Sequence, residues 1–580
     1  MKMKKMVAGV LAYMAFLGSV PYYSSVLENS SIIANAGATG VRDSFYYEKH
    51  DDYAEILFPR KGTVTAEIPS EIDGLPVTVI GGFYYAADTL KEVIIPDTVT
   101  TIRSCAFKEC TGLTEIVLPD SITYIDEWTF FDCENLTKVI LPSNITSLSN
   151  CMFAYCKNLQ EITIPESVTV IERQAFAGCE SLKEIKLPNN LKFIGDLAFE
   201  LCTGLTKMTI PENVEEIQES PFYGCKNFSL ITISENNPYF VTDGDAIFNK
   251  DKTEILCHCT GNVKETYDIP DTVTTIREKA FEYCENLREI NIPDSVQSIG
   301  ERAFVNCSRL ETAHIPDGIT SLELGVFENC KSLDNIKIPE SVITMGYSVF
   351  LNCENMGNIF IPDTIETVKG SALSNTKWLK NQPDGLLYIG KTLYTYKGEM
   401  PENTIIEVKE GTIYITENAC SGYNGLTEVT LPETVKYIEE RAFDSYRLKK
   451  IKIYNPECEI YPSYFYDTIP RNAVIYGYEN STAQQYAHEW GNKFVVFGTS
   501  PDDFDTNTSG VIGDVNDDNV LDVADIVAVA SYVGNPEINK LSEQSIKNAD
   551  VHNTGDGLTA MDILVLQQRI ANIDDVIEIS

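Results

Sequence analysis

Residues 133–155 read CENLTKVILPSNITSLSNCMFAY, and the next copy of the same pattern opens at Cys156. The cysteines at 110, 133, 156, 179, 202 and 225 stand 23 residues apart, as do the prolines at 96, 119, 142, 165, 188 and 211. Self-similarity at a fixed period marks a repeat array, in which no unit buries its own apolar face and each borrows a neighbour's. An array grows lengthwise, so a chain of 580 residues needs no single large core.

The consensus C-x-x-L-x-x-I-x-[IL]-P-x-x-[VI]-x-x-I-x-x-x-A-F has a physical reading. Its L-x-x-I-x-[IL] part, as in Leu182, Ile185 and Leu187, alternates at its end like a strand, and proline then stops ladder pairing and turns the chain. The second apolar pair and the A-F dipeptide, as in Val168, Ile171, Ala175 and Phe176, fill the coil from the opposite side. The expectation is one short strand per 23-residue coil, stacked as a parallel sheet. This unit resembles the bacterial leucine-rich repeats of the BspA-like class over about residues 64–460. The resemblance implies a leucine-rich repeat solenoid used for adhesion or protein binding, with no catalytic site of its own.

Two spans break the period. From Pro211 to Pro270 is 59 residues, and turn signals between Ser234 and Lys264 predict an inserted hairpin. From Pro362 to Pro432 is 70, close to three periods, with Trp378 and the tyrosines 388, 394 and 396 inside it. Residues 39–63 are expected to cap the first coil with strands. Residues 461–498, with the helix-like run from Ser481 to Trp490, are expected to cap the last, because end coils otherwise expose core.

A formal charge of -40, from 85 acidic against 45 basic residues, excludes nucleic acid and anionic lipid as partners by long-range repulsion. Lys2, Lys4 and Lys5, the apolar run from Met6 to Val20 and Ala34-Asn35-Ala36 read as an export signal over residues 1–36, so a secreted, extracellular protein is expected. Ten of the sixteen cysteines occupy one fixed repeat position and face their own copies about 4.8 Å away. They read as a ladder of buried thiols packing as apolar residues. Bridging is sterically open to them; the reduced form is the expectation.

After an acidic, turn-rich linker at 499–512 the composition changes. Asp514, Asn516, Asp518, Val520, Asp522 and Asp525 stand at positions 1, 3, 5, 7, 9 and 12 of a calcium loop, a spacing that wraps oxygen ligands around a hard cation. Ile526, Val529 and Val533 follow at helical spacing. A second loop runs from Asp550 to Asp562, one residue longer, with Ile563, Leu566 and Ile570 behind it. Asp550, Asp556 and Asp562 are its candidate ligands, with the Gly557 carbonyl; His552 is discounted, since calcium prefers oxygen.

This duplicated loop-helix pattern over 513–575 resembles the dockerin domain of cellulosomes, a small all-α calcium-binding module. The resemblance implies two calcium ions, the second in a loop whose register the extra residue shifts, and calcium-dependent docking to a cohesin module of a scaffold protein. It also implies that loop positions 10 and 11 choose the partner, here Val523 and Ala524, and Ala560 and Met561 counting back from Asp562. The two pairs differ and both are apolar, which points to a single binding orientation and a hydrophobic contact.

Three features are decoys. Cys257-His258-Cys259 lacks a second cluster of soft ligands, and in a strand both thiols point the same way into a core. Leu431-Pro432-Glu433-Thr434 imitates a wall-sorting signal but is followed by Val435 and no terminal apolar tail. His314 has no serine or cysteine partner at motif spacing. The strand position before the last apolar residue points outward and reads Ile94, Val117, Ile140, Thr163, Lys186 and Thr209, then Asn291, His314, Lys337 and Phe360. Its apolar start is either a binding patch or a plain exposed strand face. The expected whole is a non-catalytic binding protein, whose solenoid recognises a protein, a cell surface or a plant cell-wall ligand. The alternatives are a dockerin-borne hydrolase of plant cell-wall polysaccharide or peptide, and a free-standing adhesin.

Overall fold

The computed structural model describes residues 40–498, apart from 43, 262 and 463–466, together with Val529. The export signal, the linker and the dockerin segment lie outside the described residues, Val529 excepted. Among the described residues, those up to Pro316 with Val326–Leu333 form one compact unit, and Asp317–Gly325 with residues 334–498 form a second.

In the first unit most regular coils contribute a short strand just before the proline; the coil with Leu182, Ile185 and Leu187 has none there. Glu115–Val117, Lys138–Ile140 and Glu161–Ile162 pair in parallel, Ile140 opposite Val117 and Lys138 opposite Glu115. The prolines then turn the chain, the carbonyls of Pro96, Pro119 and Pro165 each accepting the N–H three residues on at 3.1 Å. Leu136, Val139, Leu141, Ile145, Leu148 and Phe153 of the quoted unit are all buried.

One strand per coil is too few. The V-x-x-I half makes a second parallel ladder, Ser147–Leu148 with Val170–Ile171, Phe193–Ile194 and Glu216–Ile217. Two residues are too short to show alternation, so this ladder leaves no period in the sequence. A third set of bonds runs through the A-F segment, where the N–H groups of Cys105, Phe107 and Glu109 donate to the carbonyls of Glu127, Thr129 and Phe131 in the next coil (3.1, 2.9 and 2.7 Å). That geometry places Cys105, Trp128, Cys151, Gln174 and Leu197 in the left-handed region, at φ from 53° to 62°. Such backbone costs a side-chain-bearing residue roughly 1–2 kcal/mol, offset here by inter-coil hydrogen bonds.

The phenylalanines of the A-F dipeptide stack through the interior. Phe107, Phe130, Phe153, Phe176 and Phe199 are fully buried, successive centroids 5.4–5.5 Å apart and nearly parallel. The hairpin expected between Ser234 and Lys264 is present: Phe240–Thr242 and Ala246–Asn249 pair antiparallel, and Glu254–His258 returns the chain to the array beside Thr275–Ile276. Before the first coil, Phe45–Lys49 and Ala54–Pro59 form an antiparallel pair that joins Leu75–Ile80.

In the second unit, Asn335–Lys337 pairs with Asn358–Phe360, and Ser321–Leu322 with Thr344–Met345 and Thr367–Val368. A short helix α1 (Lys377–Asn381) precedes a second antiparallel hairpin, Gly385–Ile389 with Thr392–Lys397, after which parallel coils resume at Tyr414–Ile415. The run from Ser481 is a helix, α2 (Thr482–Trp490): the Ser481 hydroxyl caps it by accepting from Gln484 N at 3.2 Å, and Gly491 ends it at φ 80°. Beyond it Lys493–Val496 closes the sheet against Val474–Gly477.

Replacing Phe153 with alanine removes one ring from the middle of the stack. Urea denaturation should show a loss of about 3–5 kcal/mol, as for other buried Phe→Ala changes. A loss below about 1 kcal/mol would mean that the stack is not what couples the coils.

Candidate functional site

The regular coils leave one sheet face open. On it, side chains two apart on a strand point the same way, so each coil presents two outward positions in register with its neighbours. The first row is Glu92, Glu115, Lys138 and Glu161; the second is Ile94, Val117, Ile140 and Thr163, all exposed. Ile94, Val117 and Ile140 are 48%, 57% and 46% exposed, large values for apolar side chains on neighbouring coils. Lys186, Thr209, Asn291, His314, Lys337 and Phe360 also face solvent, as their spacing implies, but no apolar run recurs among them.

Cys257-His258-Cys259 belongs to the interior. In every regular coil the Phe N–H donates to the carbonyl 22 residues on, and His258 N donates to Ala280 O at 2.7 Å in the same way. Cys257-His258 therefore occupies the A-F position, with the imidazole continuing the ring stack onto Phe281 at 5.2 Å. The column cysteines confirm the register. Cys133, Cys156, Cys179, Cys202 and Cys225 each donate Sγ–H to the Phe carbonyl 26 residues earlier, at 3.0–3.3 Å. Cys284, at that offset from His258, meets its Nδ1 instead, at 3.4 Å. This thiol-to-carbonyl bond follows from the repeat geometry and has no signal in the sequence. All sixteen thiols are free, and among the described residues no three His, Cys, Asp or Glu side chains converge on a metal position.

The His258 ring lies against Tyr267, whose hydroxyl donates to Asp243 Oδ2 at 2.7 Å, and its Nε2 has no hydrogen-bond partner among the described residues. Burial lowers its pKa to about 4, against the weaker opposing pull of Asp245 and Asp243. Twenty-four residues on, burial pushes the Glu282 carboxyl up to about 8.

Where the hairpin interrupts the array, a cavity of about 630 Å³ opens between Glu216–Ile217 and Tyr239–Phe240, with Asp196, Glu219 and Arg277 in its wall. A smaller one of about 460 Å³ lies beside Asp294 and His314. No described helix is long and apolar enough to cross a membrane.

The candidate calcium ligands Asp514, Asn516, Asp518, Val520, Asp522, Asp525, Asp550, Asp556, Gly557 and Asp562 lie outside the described residues. So do the candidate cohesin contacts Val523, Ala524, Ala560 and Met561.

Stacked coils with this register define a leucine-rich repeat solenoid. The chain belongs to the family described as the BspA type leucine rich repeat region, whose model matches residues 78–170, 152–255, 253–380 and 388–489. No curated protein matches. Among solved structures, a leucine rich cell surface protein from Faecalibacterium prausnitzii is 27% identical, with 58% of this chain and 92% of that one covered and a TM-score of 0.46. A leucine-rich repeat protein from Bacteroides ovatus is 20% identical over 79% and 99%, at 0.35. The pneumococcal vaccine antigen PcpA is 16% identical over 79% and 98%, at 0.39.

The depressed His258 pKa sets an acid limb of stability. Between the unfolded value of 6.5 and about 4 the unfolded chain binds the extra proton, so stability falls as pH drops through that window, by about 3 kcal/mol in full. The raised Glu282 pKa acts oppositely, eroding stability as pH rises from 4.5 towards 8. Denaturation midpoints of His258→Phe should lose most of the acid slope between pH 6.5 and 4. An unchanged slope would show that the imidazole is solvated.

Proposed function

We propose that this is a non-catalytic extracellular binding protein that recognises its partner through the open sheet face of the first coils and is held on a scaffold by its C-terminal segment. The observation that carries the recognition half is the exposed row Ile94, Val117 and Ile140 on consecutive coils, of which Val117 and Ile140 pair in register. Three large apolar side chains on consecutive coils lose water favourably on contact with a partner, and the flanking Glu92, Glu115 and Lys138 supply orientation rather than affinity. Leucine-rich repeat neighbours that include a cell surface protein, and the export signal, favour a site outside the cell. The attachment half rests on the loop spacing from Asp514 to Asp525, which on the dockerin reading binds calcium and docks to a cohesin.

The two halves separate experimentally. Full-length protein offered to a cohesin panel should be captured in calcium and released by chelator, and Asp514→Ala with Asp525→Ala should abolish capture, because metal binding is also folding energy for so small a module. Capture that persists in chelator removes the calcium-docking half. Val117→Lys should weaken adhesion to immobilised cells or plant cell-wall material about tenfold or more while cohesin capture stays intact. Adhesion unchanged by that substitution removes the sheet face from the reading. Turnover of polysaccharide or peptide by the purified chain would overturn its non-catalytic part.

A further inference from the structure

The two-residue ladder from Ser147–Leu148 to Glu216–Ile217 stops at a free edge. Inside the ladder each strand is used on both sides: the Thr169 carbonyl accepts from Lys192 N and Phe193 N, and the Ile171 carbonyl from Gly195 N. The next coil repeats this, the Lys192 carbonyl accepting from Glu215 N and Glu216 N, and the Ile194 carbonyl from Gln218 N at 2.9 Å. By register the next acceptors are the carbonyls of Glu215 and Ile217. Glu216–Ile217 is the last strand of its four-stranded sheet: the chain runs on through one more paired array strand, Leu230–Ile233, and then builds the hairpin from Phe240. Among the described residues no backbone N–H reaches either carbonyl, and Ile217 O has only a long contact from Arg277 Nη1, at 3.4 Å. The hairpin strand Phe240–Thr242 is likewise the terminal strand of its own sheet. The 630 Å³ cavity lies between these two edges, a volume within the range of ligand sites.

Its walls are mainly acidic. Glu216, Glu219 and Asp196 line it with Glu215, which is paired to Lys192 at 3.1 Å, and the one cation of the lining, Arg277, is committed to Glu254 through bonds of 2.6 and 3.1 Å. Burial, with the Glu278 carboxylate beside it, holds the Glu219 carboxyl above its ordinary pKa, so the site gains by receiving a positive group. Tyr239, 46% exposed, turns an aromatic ring to the same space.

We propose that this cleft is a peptide-binding site, in which an extended lysine- or arginine-rich polypeptide segment adds its backbone as a strand to the edge at Glu215–Ile217. Free strand edges are templates for such addition, main-chain hydrogen bonds giving affinity and alternate side chains giving specificity. Every second side chain of the added strand faces the cleft. There its cations meet Glu216 and Glu219, with Tyr239 as a cation–π surface. The site is separate from the apolar row on the open sheet face and does not depend on it.

The test is fluorescence anisotropy with full-length protein and a labelled octapeptide of alternating lysine and valine. Three competitors accompany it: the same peptide N-methylated along one edge, its glutamate-valine counterpart, and spermine. The expected result is saturable binding of the lysine peptide, weakened about tenfold or more by N-methylation and by Glu216→Lys. Val117→Lys on the open face should leave it unchanged. Glu216→Gln, which keeps the shape of the side chain, should give an intermediate loss, and circular dichroism melts should confirm folding of each variant. No binding, or binding that Glu216→Lys leaves intact, overturns the proposal. Equal binding of the N-methylated peptide, or equal displacement by spermine, also overturns it, because charge alone then accounts for the affinity and no strand is added.

Discussion

A coil of 23 residues has no interior of its own, and what gives these coils one is the demand that each group find its copy in the neighbour. Phe130 packs on Phe107 and Phe153, and the Cys156 thiol donates to the Phe130 carbonyl across the same boundary. The stack fixes the coil-to-coil spacing through ring contact, and the thiol fixes register through a directional bond. Buried phenylalanine adds a large apolar surface to that of the leucine, isoleucine and valine columns, whereas a buried thiol bonded to a carbonyl leaves no polar group unsatisfied. Cysteine suits its column for that reason: it is small, apolar and able to donate. Burial pushes the Cys133 thiol up to about 12, which keeps it protonated and in the donor form at neutral pH.

The same constraint explains how the array restarts after its interruption. The returning strand Glu254–His258 needs a flat ring at the A-F position and an acceptor for the following cysteine. His258 serves both needs, since its ring stacks on Phe281 and its Nδ1 meets Cys284 Sγ. With the thiol as donor the imidazole carries its proton on Nε2, the atom left without a partner. A phenylalanine there satisfies the stack but presents nothing to Cys284 beyond its main-chain carbonyl, as in every regular coil. Phenylalanine meets both needs with its ring and its carbonyl, whereas histidine at 258 leaves Nε2 without a partner among the described residues and makes the position sensitive to protonation.

How much of this was legible follows from what repeats. The solenoid, its buried column positions and the outward row at Ile94, Val117 and Ile140 come directly from the 23-residue period, because period and burial are one fact in a stacked coil. The first hairpin is visible because 59 is not a multiple of 23. The second, Gly385–Ile389 with Thr392–Lys397, is hidden because 70 differs from three periods by one residue. The left-handed residues are half legible: glycine or asparagine stands at positions such as Gly178, Asn306 and Asn329, but Trp128 and Leu197 adopt the same backbone with no local preference for it. That Cys257-His258 is no metal motif follows already from the missing soft ligands, but its role as the Ala-Phe position does not, because the hairpin erases that register from the sequence. The calcium loops are the opposite case, a local spacing of oxygen donors that needs no tertiary information to be seen.

The two binding surfaces follow from a single property of the array. Where strands of regular coils pair on both sides, a partner meets side chains alone and affinity has to come from apolar rows such as Ile94, Val117 and Ile140. Where the period fails, main-chain acceptors at Glu215 and Ile217 lose their donors, and the backbone itself becomes available to a ligand. An uncovered edge is also an aggregation hazard, and like charge along it is a means of keeping a second copy of the same chain away. Glu215, Glu216 and Glu219 provide that repulsion at this edge, in a chain already at -40. The carboxylates that keep identical copies out are the ones that admit a strand of opposite charge, so protection of the edge and selectivity for its ligand rest on the same side chains.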